Sequence, residues 1–162
     1  VKYKEQVFKV SSDIISFAND SSYNIVSKLQ ALVDISEVKS VTVEYNGAEH
    51  TIDITHNDSD MTFVLDGQKV DTKITQAIYK SIVGLAVDGV YKDETLGDTV
   101  MKIKYKGIKS SSDTEIEFKS IDDLYCALIR NGKTEFTIKK SKLNEFMDLF
   151  NTYVENPEKQ GD

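Results

Sequence analysis

The stretch that decides the fold is Ser40-Val41-Thr42-Val43-Glu44-Tyr45-Asn46-Gly47, because it returns sixty positions later as Val100-Met101-Lys102-Ile103-Lys104-Tyr105-Lys106-Gly107. The apolar positions of the two copies match one to one: Val41, Val43 and Tyr45 against Met101, Ile103 and Tyr105. Alternation with a period of two is typical of a half-buried β-strand, and the closing glycine of each copy predicts a hairpin turn. A match at constant spacing indicates a duplicated unit.

Each copy is predicted to continue with two further strands, at residues 50–54 and 61–65 in the first copy and at residues 115–118 and 125–129 in the second. The last strand of each set runs into a short turn sequence, Asp66-Gly67 or Asn131-Gly132. These pairs favour a type I′ hairpin, which needs positive φ at both central residues. The serine-rich residues 110–113 predict a longer loop in the second copy.

Each copy is then predicted to end in a helix with one apolar face. Residues on that face recur at spacings of three and four: Ile74, Ala77, Ile78, Ser81, Ile82 and Leu85 in the first helix, and Leu143, Phe146, Met147, Phe150, Tyr153 and Val154 in the second. Asp71 is a predicted N-cap, Gly84 lies near a predicted C-terminus, and Pro157 follows the helix that begins behind Ser141. The predicted fold class is α+β, with duplicated units of antiparallel β-sheet and amphipathic helix.

These units divide the chain into four predicted parts: a partial N-terminal repeat of strand plus helices at residues 1–39, the first β-sheet and helix repeat at 40–90, the second at 91–156, and a flexible tail at 157–162. Residues 6–10 resemble the strand at 135–139, which is why the first part is interpreted as an incomplete repeat. Residues 22–33 predict a helix, and residues 87–99, rich in Gly and Asp, predict the joint between the repeats.

Composition argues against several classes of partner. The net charge of -7 and the pI of about 4.9 do not favour a nucleic-acid groove or an anionic membrane surface, since both need clustered positive charge. Arg130 is the only arginine, so the chain has few guanidinium groups for bidentate binding of phosphate. Cys126 is the only cysteine, and its apolar neighbours predict a buried small hydrophobe. No run approaches the roughly 18 apolar residues of a membrane span, so direct membrane insertion by this segment is not predicted.

The two histidines are the first candidates for metal ligands. His50 and His56 lie six residues apart, which on one strand is roughly 20 Å at about 3.3 Å per residue, too far to share an ion. His56 could instead join Asp58 and Asp60, but the loop lacks the central Gly and the distal Glu of an EF-hand. A solvated hairpin turn is the favoured interpretation, and no metal or cofactor is predicted.

Other polar clusters also favour structural roles. Asp122 and Asp123 are adjacent, so on a strand they would point to opposite faces and could not flank one bond. They are predicted turn residues. The lysines of one alternating run, Lys102, Lys104, Lys106 and Lys109, predict a solvated sheet face, with an anionic ligand as the alternative.

The tyrosines are the remaining candidates for a binding surface, and the common catalytic motifs are missing from the sequence. Tyr23, Tyr79 and Tyr91 are candidate interface residues if exposed, although core or boundary packing is favoured for each. The sequence contains no Gly-x-Ser-x-Gly elbow, no cysteine with a plausible His base and no glycine-rich phosphate loop. No catalytic residue is predicted, and the chain is predicted not to be an enzyme.

Three stretches together resemble a bacterial family of repeated domains of unknown function. They are Val33-Asp34-Ile35-Ser36-Glu37-Val38-Lys39-Ser40-Val41-Thr42-Val43-Glu44-Tyr45-Asn46-Gly47, then Asp66-Gly67-Gln68-Lys69-Val70, then Ile82-Val83-Gly84-Leu85 with Asp88-Gly89. Members of that family look like membrane-anchored extracytoplasmic proteins, often encoded beside ABC transporter components of the gliding-motility type. The resemblance implies a location and carries no functional residue.

Two functions are predicted from this. The first is an extracytoplasmic interaction or accessory domain with a protein partner at the membrane, for which the resemblance implies association with an ABC-type transporter. Because the chain begins at Val1 without Met, we expect the anchor to lie in a segment absent from this chain. The alternative is a small-ligand or glycan binding module that uses a groove between the repeats, near residues 87–91.

Overall fold

The computed structural model describes residues 2–3, 6–7, 28–57 and 60–156. The first of these residues form strands β1 (Lys2–Tyr3) and β2 (Gln6–Val7), which pair antiparallel. The rest of the strand predicted at residues 6–10, and the predicted tail at 157–162, lie outside the described residues.

A four-stranded antiparallel meander and a helix follow. The strands are β3 (Val38–Tyr45), β4 (Ala48–His56), β5 (Met61–Leu65) and β6 (Gln68–Val70), and the helix is α1 (Thr72–Val83). The Asp71 carboxylate accepts a hydrogen bond from the Lys73 backbone N–H at 2.7 Å, and Gly84 is the C-cap residue. Both predicted ends of this helix are confirmed.

The second meander begins after a short strand, β7 (Gly89–Val90). Its strands are β8 (Thr99–Gly107), β9 (Thr114–Ser120), β10 (Tyr125–Arg130) and β11 (Lys133–Lys139), and its helix is α2 (Lys140–Glu155). Strand β7 pairs antiparallel with β11, so residues 87–99 contribute an edge strand as well as a connection.

Both meanders belong to one sheet, which within the described residues has nine strands in the order β6-β5-β4-β3-β8-β9-β10-β11-β7. They meet at the antiparallel pairing of β3 with β8, where Val43 lies opposite Ile103. On either side of that pair, Val41 lies opposite Tyr105 and Tyr45 lies opposite Met101. An antiparallel sheet with separate helices is α+β, as predicted.

One face of the sheet carries the core. Alternate strand residues on this face are fully buried, including Val43, Ile103, Ile116, Phe118 and Ile138. The helices cover them with their apolar stripes: Ile74, Ile78 and Ile82 from α1, and Leu143, Phe146, Met147, Phe150 and Tyr153 from α2. The predicted apolar faces of both helices are therefore confirmed.

Three two-residue turns close hairpins with positive φ at both positions. They are Asn46-Gly47 (φ 52° and 77°), Asp66-Gly67 (48° and 81°) and Asn131-Gly132 (48° and 78°). These values are those of type I′ turns, as the last two sequences predicted.

The glycine that closes the second copy behaves differently from Gly47. Gly107 is the last residue of β8 and lies opposite Val38, so it is not a hairpin turn residue. A β-carbon at this position would lie 1.9 Å from Ser112 Oγ and 2.7 Å from the Lys109 carbonyl oxygen. The predicted long loop at 110–113 is a compact 3-10 turn (Ser110–Ser112) packed against Gly107, which explains the glycine.

The helix predicted over residues 22–33 is wrong for its described part, residues 28–33, which is irregular apart from a turn at residues 30 and 31. The carbonyls there accept hydrogen bonds from the sheet: Tyr105 Oη donates to Ala31 at 2.9 Å, and Arg130 Nη1 donates to Gln30 at 2.6 Å. Two apolar residues of this stretch are exposed, Leu29 at 39% and Leu32 at 47%. Long-range contacts thus override a local helical pattern.

Candidate functional site

The two histidines lie near opposite ends of β4 and have separate partners. His50 Nδ1 is 2.7 Å from Asp66 Oδ2, and its ring contacts Phe150 edge-on at a centroid distance of 5.8 Å. His56 Nε2 lies 2.7 Å from the Val38 carbonyl oxygen. No group of three or more His, Cys, Asp or Glu side chains in the described ranges is arranged to hold a metal ion. Asp58, which with His56 and Asp60 formed the candidate metal site of this loop, lies outside those ranges.

The lysines of β8 lie on the sheet face opposite the core, where glutamates accompany them. Lys104 pairs with Glu44 of β3, and Lys102 lies 3.8 Å from Glu115 and 3.7 Å from Glu117 of β9. Hydrogen bonding to Glu44 raises the pKa of Lys104. This arrangement agrees with the predicted solvated face, because each of these two lysines has a carboxylate beside it.

Two further polar predictions can be placed in the structure. The Asp122 carboxylate accepts hydrogen bonds from the backbone N–H groups of Leu124 and Tyr125, both at 2.7 Å, so Asp122 is a turn residue as predicted. Cys126 is fully buried, and burial raises the pKa of its thiol. It therefore packs as the predicted small hydrophobe and is a poor nucleophile.

The candidate interface tyrosines have different environments. Tyr79 is partly buried against the core, and its pKa is raised by burial and by the charge of Asp34. Tyr91 donates its hydroxyl hydrogen bond to the Glu94 carbonyl, within its own connection. Tyr23 lies outside the described residues. Boundary packing is confirmed for Tyr79.

A cleft opens between α1 and the beginning of β5. Its volume is about 390 Å³. One wall is formed by the start of β5 and the residue before it, the other by α1, and Ile35 completes the lining. The first wall consists of Asp60, Met61 and Phe63, and the second consists of Thr72, Gln76, Tyr79 and Lys80. The β5–α1 cleft thus combines an apolar interior with an acid, an amide and an amine.

A second depression lies between the two helices. This interhelical groove has a volume of about 330 Å³, and its lining comes from the end of α1 and the first half of α2: Ser81, Gly84, Leu85, Lys142, Glu145, Phe146 and Leu149. None of residues 87–91, where the groove between the repeats was expected, lines it.

Lys142 ties the wall of this groove to the connection between the meanders. Its ammonium group donates to Asp88 Oδ1 at 2.8 Å and to the Ala86 carbonyl at 2.9 Å. Burial disfavours ionisation of Asp88, but hydrogen bonds from Lys142 and from the Lys139 backbone outweigh it, so the pKa of this carboxyl is lowered. One side of the groove is therefore held to this connection by an ion pair and a hydrogen bond.

Sequence reasoning missed the β5–α1 cleft, although the sequence carried a signal for it. Only three residues separate Gly67 from the N-cap Asp71, whereas six separate Gly132 from the N-cap Lys139, so the first unit has a much shorter last strand. That difference in strand length is what leaves the cleft open.

Comparison of the chain with protein-family models, with curated proteins and with solved structures finds no match. Neither α1 nor α2, the two α-helices in the described part of the chain, is long and apolar enough to cross a bilayer.

Proposed function

We propose that this chain is a non-enzymatic interaction or accessory domain of an extracytoplasmic bacterial protein, held at the membrane by a segment outside the chain. Its partner is a membrane protein, of which an ABC-type transporter is the leading candidate. The sequence resemblance to repeated extracytoplasmic domains supports the location, and the acidic, arginine-poor composition is compatible with a protein partner.

The observation that carries this proposal is the pairing of β3 with β8. Residues that match at the sixty-residue spacing meet at its centre, where Val43 faces Ile103, and the flanking pairs are exchanged symmetrically. This register supports an ancestral unit of four strands and one helix, duplicated and joined edge to edge. Repeated scaffolds of this kind present extended surfaces to other proteins.

The test uses the full-length gene product with an affinity tag, expressed in its own bacterium. We expect it to sediment with membranes, to be cleaved by protease added to spheroplasts, and to co-purify with transporter components after detergent extraction. The matched control is the same protein with this domain deleted, which should lose the partner and keep its membrane association. A protease-protected domain, or a partner set unchanged by the deletion, would contradict the proposal.

The interhelical groove supports a second candidate, a module that binds a small ligand or glycan between the repeats. Phe146 and Leu149 offer an apolar surface there, and Lys142, Glu145 and Ser81 offer polar groups beside it. A thermal-shift screen of mono- and disaccharides should then find a stabilising ligand. Its effect should disappear in Leu149→Trp, which fills the groove, and persist in Gln76→Trp. No stabilising compound, or equal loss in both variants, would count against this candidate.

A further inference from the structure

Strand β6 covers only part of β5. Its three residues pair with Phe63, Val64 and Leu65, and the chain then turns into α1. Met61 and Thr62, the first two residues of β5, therefore lack a β6 partner. In the second unit β11 accompanies β10 over its whole length, from the pair Tyr125–Lys139 to the pair Arg130–Lys133.

The free part of β5 presents backbone groups at the sheet edge. In an antiparallel ladder the backbone groups of successive residues point alternately to the two neighbouring strands. Leu65 and Gln68 close the two-residue turn, so Leu65, Phe63 and Met61 point toward the β6 side. The intervening residues point to the other side, as the hydrogen bond from Asn57 N–H to the Asp60 carbonyl shows. The N–H and C=O of Met61 consequently point to where β6 has ended.

The β5–α1 cleft lies directly beside this edge. Met61 and Phe63 line it from the strand, and Gln76 and Tyr79 line it from the helix. An open strand edge next to an apolar cleft has the two features of a site for β-strand addition, where main-chain hydrogen bonds hold a peptide and a pocket selects a side chain. A small molecule would use the cleft and leave the backbone edge unpaired.

The second unit contains an occupant of the corresponding position. There β11 continues past the point where β6 stops, and its residues Phe136 and Ile138 are buried beneath α2. Ile138 lies opposite Cys126 near the start of β10, as a residue beside Met61 would in the first unit. In the second meander, an extended segment with a buried apolar side chain thus lies next to the third strand, β10. We expect a segment of the same kind to fit next to β5 in the first meander.

We propose that an extended segment of a partner protein adds to the sheet antiparallel to β5 at Met61 and inserts one apolar side chain into the β5–α1 cleft. This inference rests on the interaction role proposed above and specifies its mode. The bound segment continues the line of β6, and Asp60 and Lys80 lie at the cleft to contact its polar residues.

The probe is a random seven-residue peptide library displayed on phage and panned against the purified chain, followed by synthesis of the enriched peptide. We expect an enriched sequence with a central apolar residue, whose binding shifts the amide resonances of β5 and α1. Gln76→Trp, which fills the cleft, and Met61→Pro, which removes the edge donor, should each weaken binding at least tenfold. Proline is tolerated at a strand edge, so Met61→Pro should remain folded.

Thr152→Trp is the matched control, because it places the same side chain at an exposed position of α2. It should leave the peptide affinity unchanged. The inference is overturned if panning enriches no peptide, if resonance shifts lie outside β5 and α1, or if Gln76→Trp binds as well as the parent. It is also overturned if the parent chain dimerises through this cleft, since a second copy would then be the occupant. Partner co-purification that survives Gln76→Trp would leave the interaction role standing and remove only this site.

Discussion

Gly107, Asp66 and Asn131 are each specified by a contact with nearby backbone or a neighbouring turn. Gly107 has an ordinary strand conformation, yet its missing side chain gives the Ser110–Ser112 turn room to pack against β8. Asp66 has a left-handed backbone conformation, and its carboxylate accepts a hydrogen bond from the Thr51 N–H. The same carboxylate also contacts His50. Asn131 repeats the first two features in the second unit, where its side chain accepts from Glu115 N–H.

Gly107→Ala should destabilise the protein, because the new methyl group would lie 1.9 Å from Ser112 Oγ and 2.7 Å from a backbone oxygen. We expect a loss of about 1–3 kcal/mol in the free energy of unfolding, the usual cost of overpacking. Urea denaturation measures it. Gly97→Ala is the control, since its β-carbon would make ordinary contacts at 3.4 Å and 3.5 Å. Equal stability of the two variants would contradict the packing of this turn.

Asp66→Ala should lower the free energy of unfolding by about 1–2 kcal/mol, because alanine loses the acceptor for Thr51 N–H and disfavours positive φ. Asp66→Asn keeps both features, as Asn131 does, so it should stay within about 0.5 kcal/mol of the parent in the same denaturation experiment. An effect of Asp66→Asn as large as that of Asp66→Ala would contradict this expectation and would assign the stabilisation to the contact of the carboxylate with His50, which both variants change.

Secondary-structure elements follow the sequence wherever the rules that form them are local. Type I′ turns at Asp66-Gly67 and Asn131-Gly132, and the N-cap at Asp71, depend on neighbouring residues and were predictable. The helix predicted at 22–33 failed for residues 28–33 because Tyr105 and Arg130, distant in sequence, engage the backbone there. The β5–α1 cleft was missed because the alternation of apolar residues does not show that β6 ends after three residues and that a helix begins there.

The connection between the meanders should make stability depend on pH through Asp88. Its pKa is lowered in the folded state from an ordinary value of 3.8, so ionised Asp88 stabilises the fold above that value. This contribution is lost as the pH falls through the lowered folded-state pKa. Asp88→Asn should therefore reduce the fall in free energy of unfolding between about pH 5 and pH 3.

Denaturation midpoints measured across that pH range check this expectation. Asp148→Asn is the control, because Asp148 is exposed on α2 and its side chain has no ion pair within the described residues. It should keep the pH dependence of the parent. A parent-like pH profile for Asp88→Asn would mean that the contact with Lys142 does not stabilise the fold.

At the scale of the whole molecule, the nine-stranded sheet makes the two meanders interdependent. The alternation in each meander predicted the strands, but strand order depends on the non-local pairing of β3 with β8, which no local pattern encodes. Val43 and Ile103 are fully buried at that junction. The predicted boundary at residues 90 and 91 therefore separates units that share one core.

Ile103→Ala should destabilise both meanders together, by about 2–5 kcal/mol, the usual cost of removing a large buried side chain. Hydrogen exchange followed by mass spectrometry should show β4 and β10 gaining exchange in parallel, because they lie on opposite sides of the β3–β8 junction. Ile108→Ala, at a position that is 54% exposed, is the control and should have little effect. Exchange confined to β8 and the second meander would show that the units unfold independently.

The interaction role is tested most directly by photo-crosslinking in living cells. The full-length protein carries benzoylphenylalanine at Gln76, in the β5–α1 cleft, or at Thr152 on the exposed side of α2. We expect a discrete crosslinked product with a membrane protein from position 76 and none from position 152. Absence of a product at position 76, or the same products from both positions, would contradict it.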